Sequence, residues 1–133
     1  MFLGEHTHAL DDKHRVILPV KFREPLAGAF ITSEIDGCLG LWPAEEFSLR
    51  AAEMKERAKG GEEDRNVARF FFAYAREASP DKQGRVALPL HLREFAHLDK
   101  DVVINGAWDH VEIWDAAVWQ QKKQAGERAL AGS

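Results

Sequence analysis

Residues 11–24 read DDKHRVILPVKFRE, and residues 81–94 read DKQGRVALPLHLRE. Seven of the fourteen aligned pairs are identical: Asp11/Asp81, Arg15/Arg85, Val16/Val86, Leu18/Leu88, Pro19/Pro89, Arg23/Arg93 and Glu24/Glu94. Ordinary residue usage gives about one match by chance, so the chain is a duplicated unit. A two-residue slip between the halves extends the repeat, placing Leu41-Trp42 on Ile113-Trp114 and Phe47 on Trp119, while upstream Phe2 falls on Phe72. Each half then predicts an opening strand, an Asp-x-x-x-Arg turn, a second strand ending in proline, a short polar helix, a hairpin and a closing helix. Half-domains of about 65 residues are marginal alone, so the two halves are expected to share one core in a pseudo-twofold domain.

The local signals fill in this plan. Val16/Leu18 and Val86/Leu88 alternate onto one face, which predicts two short strands, with Arg15 and Arg85 beginning the opposite face. Pro19 and Pro89 lack a backbone donor but suit the first turn of a helix, so a short helix should follow each, carrying Lys21/Arg23 or His91/Arg93. Strands are expected at 29–33 and 102–105, with turns at Asp36-Gly37 and Trp108-Asp109 and return strands at 38–42 and 110–114. Pro43, Glu45 and Glu46 favour a helix start, and Phe47, Ala51, Met54 and Ala58 follow at helical spacing up to Gly60-Gly61. Asp64 can cap a second helix with Val67, Phe70, Phe71 and Tyr74 on its apolar face. Asp115 can cap the last helix, which is expected to fray after Gly126. These bulky faces read as core or subunit interface rather than a cofactor pocket.

At 133 residues the chain fits one domain. Its single cysteine, Cys38, makes no intramolecular bridge and reads as a small buried residue; with a polar start and no apolar run of membrane-spanning length, a cytoplasmic, soluble protein is expected. The net charge of −4 argues against a nucleic-acid partner at first sight. Its distribution argues otherwise: each repeated segment carries +1 and the remainder −6, so a mildly basic face can sit on an acidic body.

An Asp and an Arg four apart can form a simple structural ion pair. They can equally present arginine to DNA, because each turn adds a lysine, Lys13 or Lys82, and each following helix adds an arginine. Paired basic turns about a twofold axis suit groove binding, where arginine meets phosphate or the guanine edge. Spacing alone leaves both readings of Arg15 open. A shared-proton Asp11/Asp81 catalytic pair is disfavoured by the adjacent positive charge. His6, His8 and His14 match no established metal spacing, and no phosphate loop or serine-hydrolase elbow is present. No enzyme activity, cofactor or metal is expected.

The chain resembles the MraZ family of bacterial transcriptional regulators. The resemblance runs from Met1-Phe2-Leu3-Gly4 through Asp11-Asp12-Lys13, Asp36-Gly37-Cys38-Leu39 and Arg69-Phe70-Phe71-Phe72 to Asp81-Lys82-Gln83-Gly84-Arg85 and Glu112-Ile113-Trp114-Asp115. It implies a mostly β fold with peripheral helices: a tandem-duplicated, AbrB/MazE-like swapped-hairpin β-barrel with pseudo-twofold symmetry. Residues 1–61 and 62–133 would be its two intertwined half-barrels, each with a closing helix. The resemblance also implies a ring-shaped homo-oligomer, associated with the nucleoid, that binds short direct repeats in double-stranded promoter DNA. That protein would repress the division and cell wall gene cluster, its own promoter included. DNA contacts would centre on Lys13, Arg15, Lys82 and Arg85, oriented by Asp11 and Asp81, with Lys21, Arg23 and Arg93 on the following helices. His14 departs from the family's usual glycine and Tyr74 from a small residue. A MazE-type antitoxin, holding a protein partner on the same barrel, is the alternative.

Overall fold

The computed structural model describes Met1 to Ser133. Two strands per half flank the Asp turn: β1 (Glu5–Ala9) and β2 (Arg15–Ile17) in the first, β5 (Arg76–Glu77) and β6 (Arg85–Ala87) in the second. Pro19 and Pro89 end β2 and β6, and short helices α1 (Val20–Arg23) and α4 (Leu90–Phe95) begin at once. Hairpins follow, β3 (Phe30–Ser33) with β4 (Leu39–Trp42), and β7 (Asp101–Gly106) with β8 (Val111–Asp115). Helix α2 (Ala44–Arg57) closes the first hairpin, α3 (Glu62–Tyr74) leads into the second half, and α5 (Ala116–Ala131) ends the chain.

Six strands form one antiparallel sheet in the order β1-β7-β8-β4-β3-β5, and β2 pairs only with β6. Exchanging the halves leaves this order unchanged, and the first strand of each half pairs with the first hairpin strand of the other. Nineteen buried residues form the core between the inner face of the sheet and the ribbon with its short helices. Val16, Leu18, Phe22 and Leu26 enter it from one half, and Val86, Leu88, Leu92 and Leu98 from the other.

The expected mostly β barrel is corrected here. About 40 % of residues are helical against 26 % in strand, and the sheets do not close. Two physical causes are visible. The ribbon strands are three residues long, bounded by an Asp turn before and a proline after, so they cannot extend to meet the sheet edges. Helices α2 and α3 are long because their apolar faces and acidic first turns carry them past the hairpins, and α5 starts from the cap that Asp115 supplies.

Three local expectations also change. Phe2 is buried and bridges Trp108, whereas Phe72 is exposed on α3, so the upstream alignment of the halves fails where α3 replaces a strand. Asp64 does not cap α3; Gly61 holds that position and Asp64 instead accepts from Arg57 Nε at 3.0 Å. Helix α5 continues through Gly126 to Ala131, while Asp115 does cap it by accepting from Val118 N at 3.0 Å. Cys38 is buried, and desolvation by burial, aided by Glu112, Glu34 and Asp36, raises its thiol pKa far above the ordinary value. No helix is long and apolar enough to cross a membrane.

Candidate nucleic-acid interface

Each Asp-x-x-x-Arg segment folds into the same closed turn. Asp11 Oδ1 accepts from the backbone N–H of Lys13 and of Arg15, each at 2.9 Å, and Oδ2 accepts from Arg15 Nε at 2.8 Å. Asp81 does the same with Gln83 N, Arg85 N and Arg85 Nε at 2.9, 2.9 and 2.8 Å. The spacing of four follows from this geometry: one carboxylate caps two backbone donors while its second oxygen catches the arginine that opens the next strand. Each arginine spends only Nε on the pair, leaving its terminal nitrogens free to fork onto an external acceptor.

These contacts hold both carboxylates ionised. Desolvation pushes Asp11 upward, but the Arg15 N–H, its guanidinium and the Lys13 N–H outweigh that, so its pKa lies below the ordinary value. For Asp81 the Arg85 N–H is the leading cause, followed by opposing desolvation, the Arg85 guanidinium and the Gln83 N–H, and the pKa falls to about 2. Both groups stay charged throughout the neutral range.

The antiparallel register carries these turns onto one surface. Arg15 lies opposite Ala87, Val16 opposite Val86 and Ile17 opposite Arg85. Val16 and Val86 are buried, so Arg15, Ile17, Arg85 and Ala87 share the outward face of the ribbon. Arg15 and Arg85 are diagonal neighbours, a relation that places Cα atoms about 7–8 Å apart. The two turns lie at opposite ends of this ribbon, with Lys13 and Lys82 exposed at their tips.

The halves also exchange their helix arginines. Leu18 N donates to Gly84 O at 2.8 Å and Arg23 Nε donates to Leu18 O at 2.9 Å, so Arg23 of the first half lies over Gly84 of the second turn. Leu88 N donates to His14 O at 3.1 Å and Arg93 Nε to Leu88 O at 2.9 Å, which ties Arg93 to the first turn. Each basic cluster is therefore composite: Lys13 and Arg15 stand with Arg93, and Lys82 and Arg85 with Arg23. Sequence order suggests the opposite grouping; the signal that gives the right one is the antiparallel pairing of two nearly identical strands. Lys21 is not brought to either cluster, because its ammonium lies 5.4 Å from the Phe22 ring centroid and reaches toward Gly4 on the β1 side.

Both turns need a left-handed residue at their fourth position, φ being +58° at His14 and +79° at Gly84. A Cβ on Gly84 would collide with the Arg23 guanidinium at Nε. The two clusters are thus unequal, with an exposed imidazole on one and an arginine lying on bare backbone in the other.

This doubled turn coincides with a doubled match: a family model described as "MraZ protein, putative antitoxin-like" fits residues 1–70 and again 71–130. The chain belongs to the MraZ family. Similarity to MraZ proteins extends over almost the whole chain. The transcriptional regulator MraZ of Salinispora arenicola is 49 % identical over 90 % of this chain and 85 % of its own length. That of Desulfitobacterium hafniense is 42 % identical over 100 % and 94 %, and that of Lactiplantibacillus plantarum 47 % identical over 91 % and 86 %. Membership in the MraZ family makes this chain a transcriptional regulator and not an enzyme.

Proposed function

We propose that the chain is a sequence-specific DNA-binding repressor that lays the β2–β6 ribbon in the major groove. The observation that carries this reading is the pair of Asp-anchored arginines, Arg15 and Arg85, on one outward ribbon face with their terminal nitrogens free. A two-stranded ribbon fits the major groove of B-DNA, and a guanidinium there can take guanine O6 and N7 together. Asp11 and Asp81 orient those arginines, while Lys13, Lys82, Arg23 and Arg93 flank the ribbon as phosphate contacts. Lys21, set toward β1, is a peripheral phosphate contact.

Residues 1–61 and 62–133 act in this reading as two halves of one intertwined domain, supported by the strand pairings that cross between them. The MraZ resemblance supplies the finer reading: a homo-oligomeric ring in the cytoplasm, associated with the nucleoid. The ring binds short direct repeats upstream of its own gene in the division and cell wall cluster. Ring assembly accounts for the overall charge of −4, because several weak basic clusters meeting successive repeats gain roughly 10²–10⁴ in avidity.

The test is binding of Arg15→Ala and Arg85→Ala to a duplex carrying those repeats, intact and scrambled. Both variants should bind the intact duplex more weakly while keeping wild-type circular dichroism and assembly mass. For the wild type, log affinity should fall with log salt at a slope of about −0.9 per phosphate neutralised. Variants that unfold would assign the arginines a purely structural role, and salt-insensitive binding would remove the phosphate contacts.

A further inference from the structure

The ribbon face proposed above for DNA carries more than arginine. Between the two guanidinium groups it presents Ile17, 45 % exposed, at the position that the second half fills with Ala87. Single exposed apolar residues are common and need no explanation by themselves. This one differs in its neighbours. It lies directly opposite Arg85, a relation that brings Cβ atoms to about 4.5–5.5 Å. Val20 and Leu90, each just after the proline that follows its strand, are exposed as well.

A ribbon in the major groove meets base edges that are polar with one exception, the C5 methyl of thymine. The geometry points to Ile17 as a specificity residue that packs on a thymine methyl beside the base taken by Arg85. This inference rests on the ribbon being the DNA-facing element. Arg85, held at Nε by Asp81, supplies the polar recognition, and Ile17, stiff at χ1 because it is β-branched, supplies the apolar one. Ala87 opposite Arg15 is shorter by three carbons and leaves the symmetry-related base without such a contact. One end of the recognised box is therefore thymine-dependent and the other is not.

The decisive experiment replaces single thymines by deoxyuridine, which removes only the methyl, in a duplex carrying the direct repeats upstream of the gene. One position per box should weaken wild-type binding about fourfold, the effect of exposing one buried methyl group. Ile17→Ala should bind the thymine duplex correspondingly less well and be indifferent to deoxyuridine at that position. Ala87→Ile should gain sensitivity at a second, symmetry-related thymine. The inference is overturned if no deoxyuridine position affects the wild type. It is also overturned if Ile17→Ala weakens both duplexes equally and stays sensitive, or if Ile17→Ala changes assembly mass without changing DNA discrimination, which would make this surface a subunit contact. If the wild type does not distinguish intact from scrambled repeats, the DNA reading itself fails, separately from the role of Ile17.

Discussion

Two residues at equivalent places test how the duplicated turn works. A left-handed backbone costs a side-chain-bearing residue roughly 1–2 kcal/mol relative to glycine, and both His14 and Gly84 adopt one. Gly84 is also buried beneath Arg23, so an added Cβ would move that guanidinium as well as strain the turn. Gly84→Ala should lower stability by about 1–2 kcal/mol and weaken DNA binding in parallel. His14→Gly releases strain but gives conformational freedom back to the unfolded chain, so the net change should be a gain of less than about 1 kcal/mol. Urea unfolding checks both, and a destabilised His14→Gly would mean that the imidazole makes native contacts outweighing its backbone cost. The turn itself was legible in the sequence because a repeated Asp and Arg at fixed spacing has a definite hydrogen-bonding purpose. The exchange of Arg23 and Arg93 between halves was not, because it depends on which strand pairs with which.

At the level of elements, the β7–β8 hairpin holds a titratable contact. His110 stacks on Trp42 of β4 at 3.9 Å between ring centroids, and its two ring nitrogens reach Asp109 at 2.7 Å and Glu112 at 3.2 Å. Desolvation lowers its pKa, but the hydrogen bonds to Glu112 and Asp109 and their charges outweigh this, so the value lies above the ordinary 6.5. Glu112 lies below its ordinary 4.5, chiefly through the His110 hydrogen bond. A raised histidine contributes fully below its unfolded value and loses that contribution as pH rises through its folded one. A depressed carboxylate contributes above its unfolded value and loses it as pH falls. The pair is therefore most stabilising between about pH 4.5 and 6.5. The stability advantage of the wild type over His110→Gln should shrink as pH is raised from 6 to 8.5 in thermal melts; a constant difference would show that the imidazole is not charged in the fold. The apolar runs on either side of the Asp36-Gly37 and Trp108-Asp109 turns located the hairpin strands to within a residue or two, because most of their residues are buried. They could not give this contact, which joins β4 of one half to the β7–β8 turn of the other. Nor could they reveal that the ribbon stops short of the sheet, since the length of a three-residue ladder is set by the proline and turn at its ends and not by its apolar pattern.

For the whole molecule, the strand pairings that cross the halves determine how it can unfold. β1 has no partner but β7, β2 none but β6, and the centre of the large sheet is the β4–β8 pair. A fragment of residues 1–61 keeps only the β3–β4 hairpin with its helices, and it exposes the core faces of Val16, Leu18, Phe22, Ile31 and Leu41. A single hairpin is at best marginally stable in water, so neither 1–61 nor 62–133 should fold alone, and intact chains should unfold in one cooperative step. Trp42 lies in β4 of one half and Trp114 in β8 of the other, which gives each half its own reporter. Replacing the other three tryptophans by phenylalanine in turn, urea melts followed by Trp42 or by Trp114 fluorescence should superimpose on each other and on far-ultraviolet circular dichroism. Separated midpoints would mean that each half carries a core of its own, and a folded, protease-resistant 1–61 fragment would mean the same; in either case the basic clusters would be assembled by docking of finished halves rather than by shared folding.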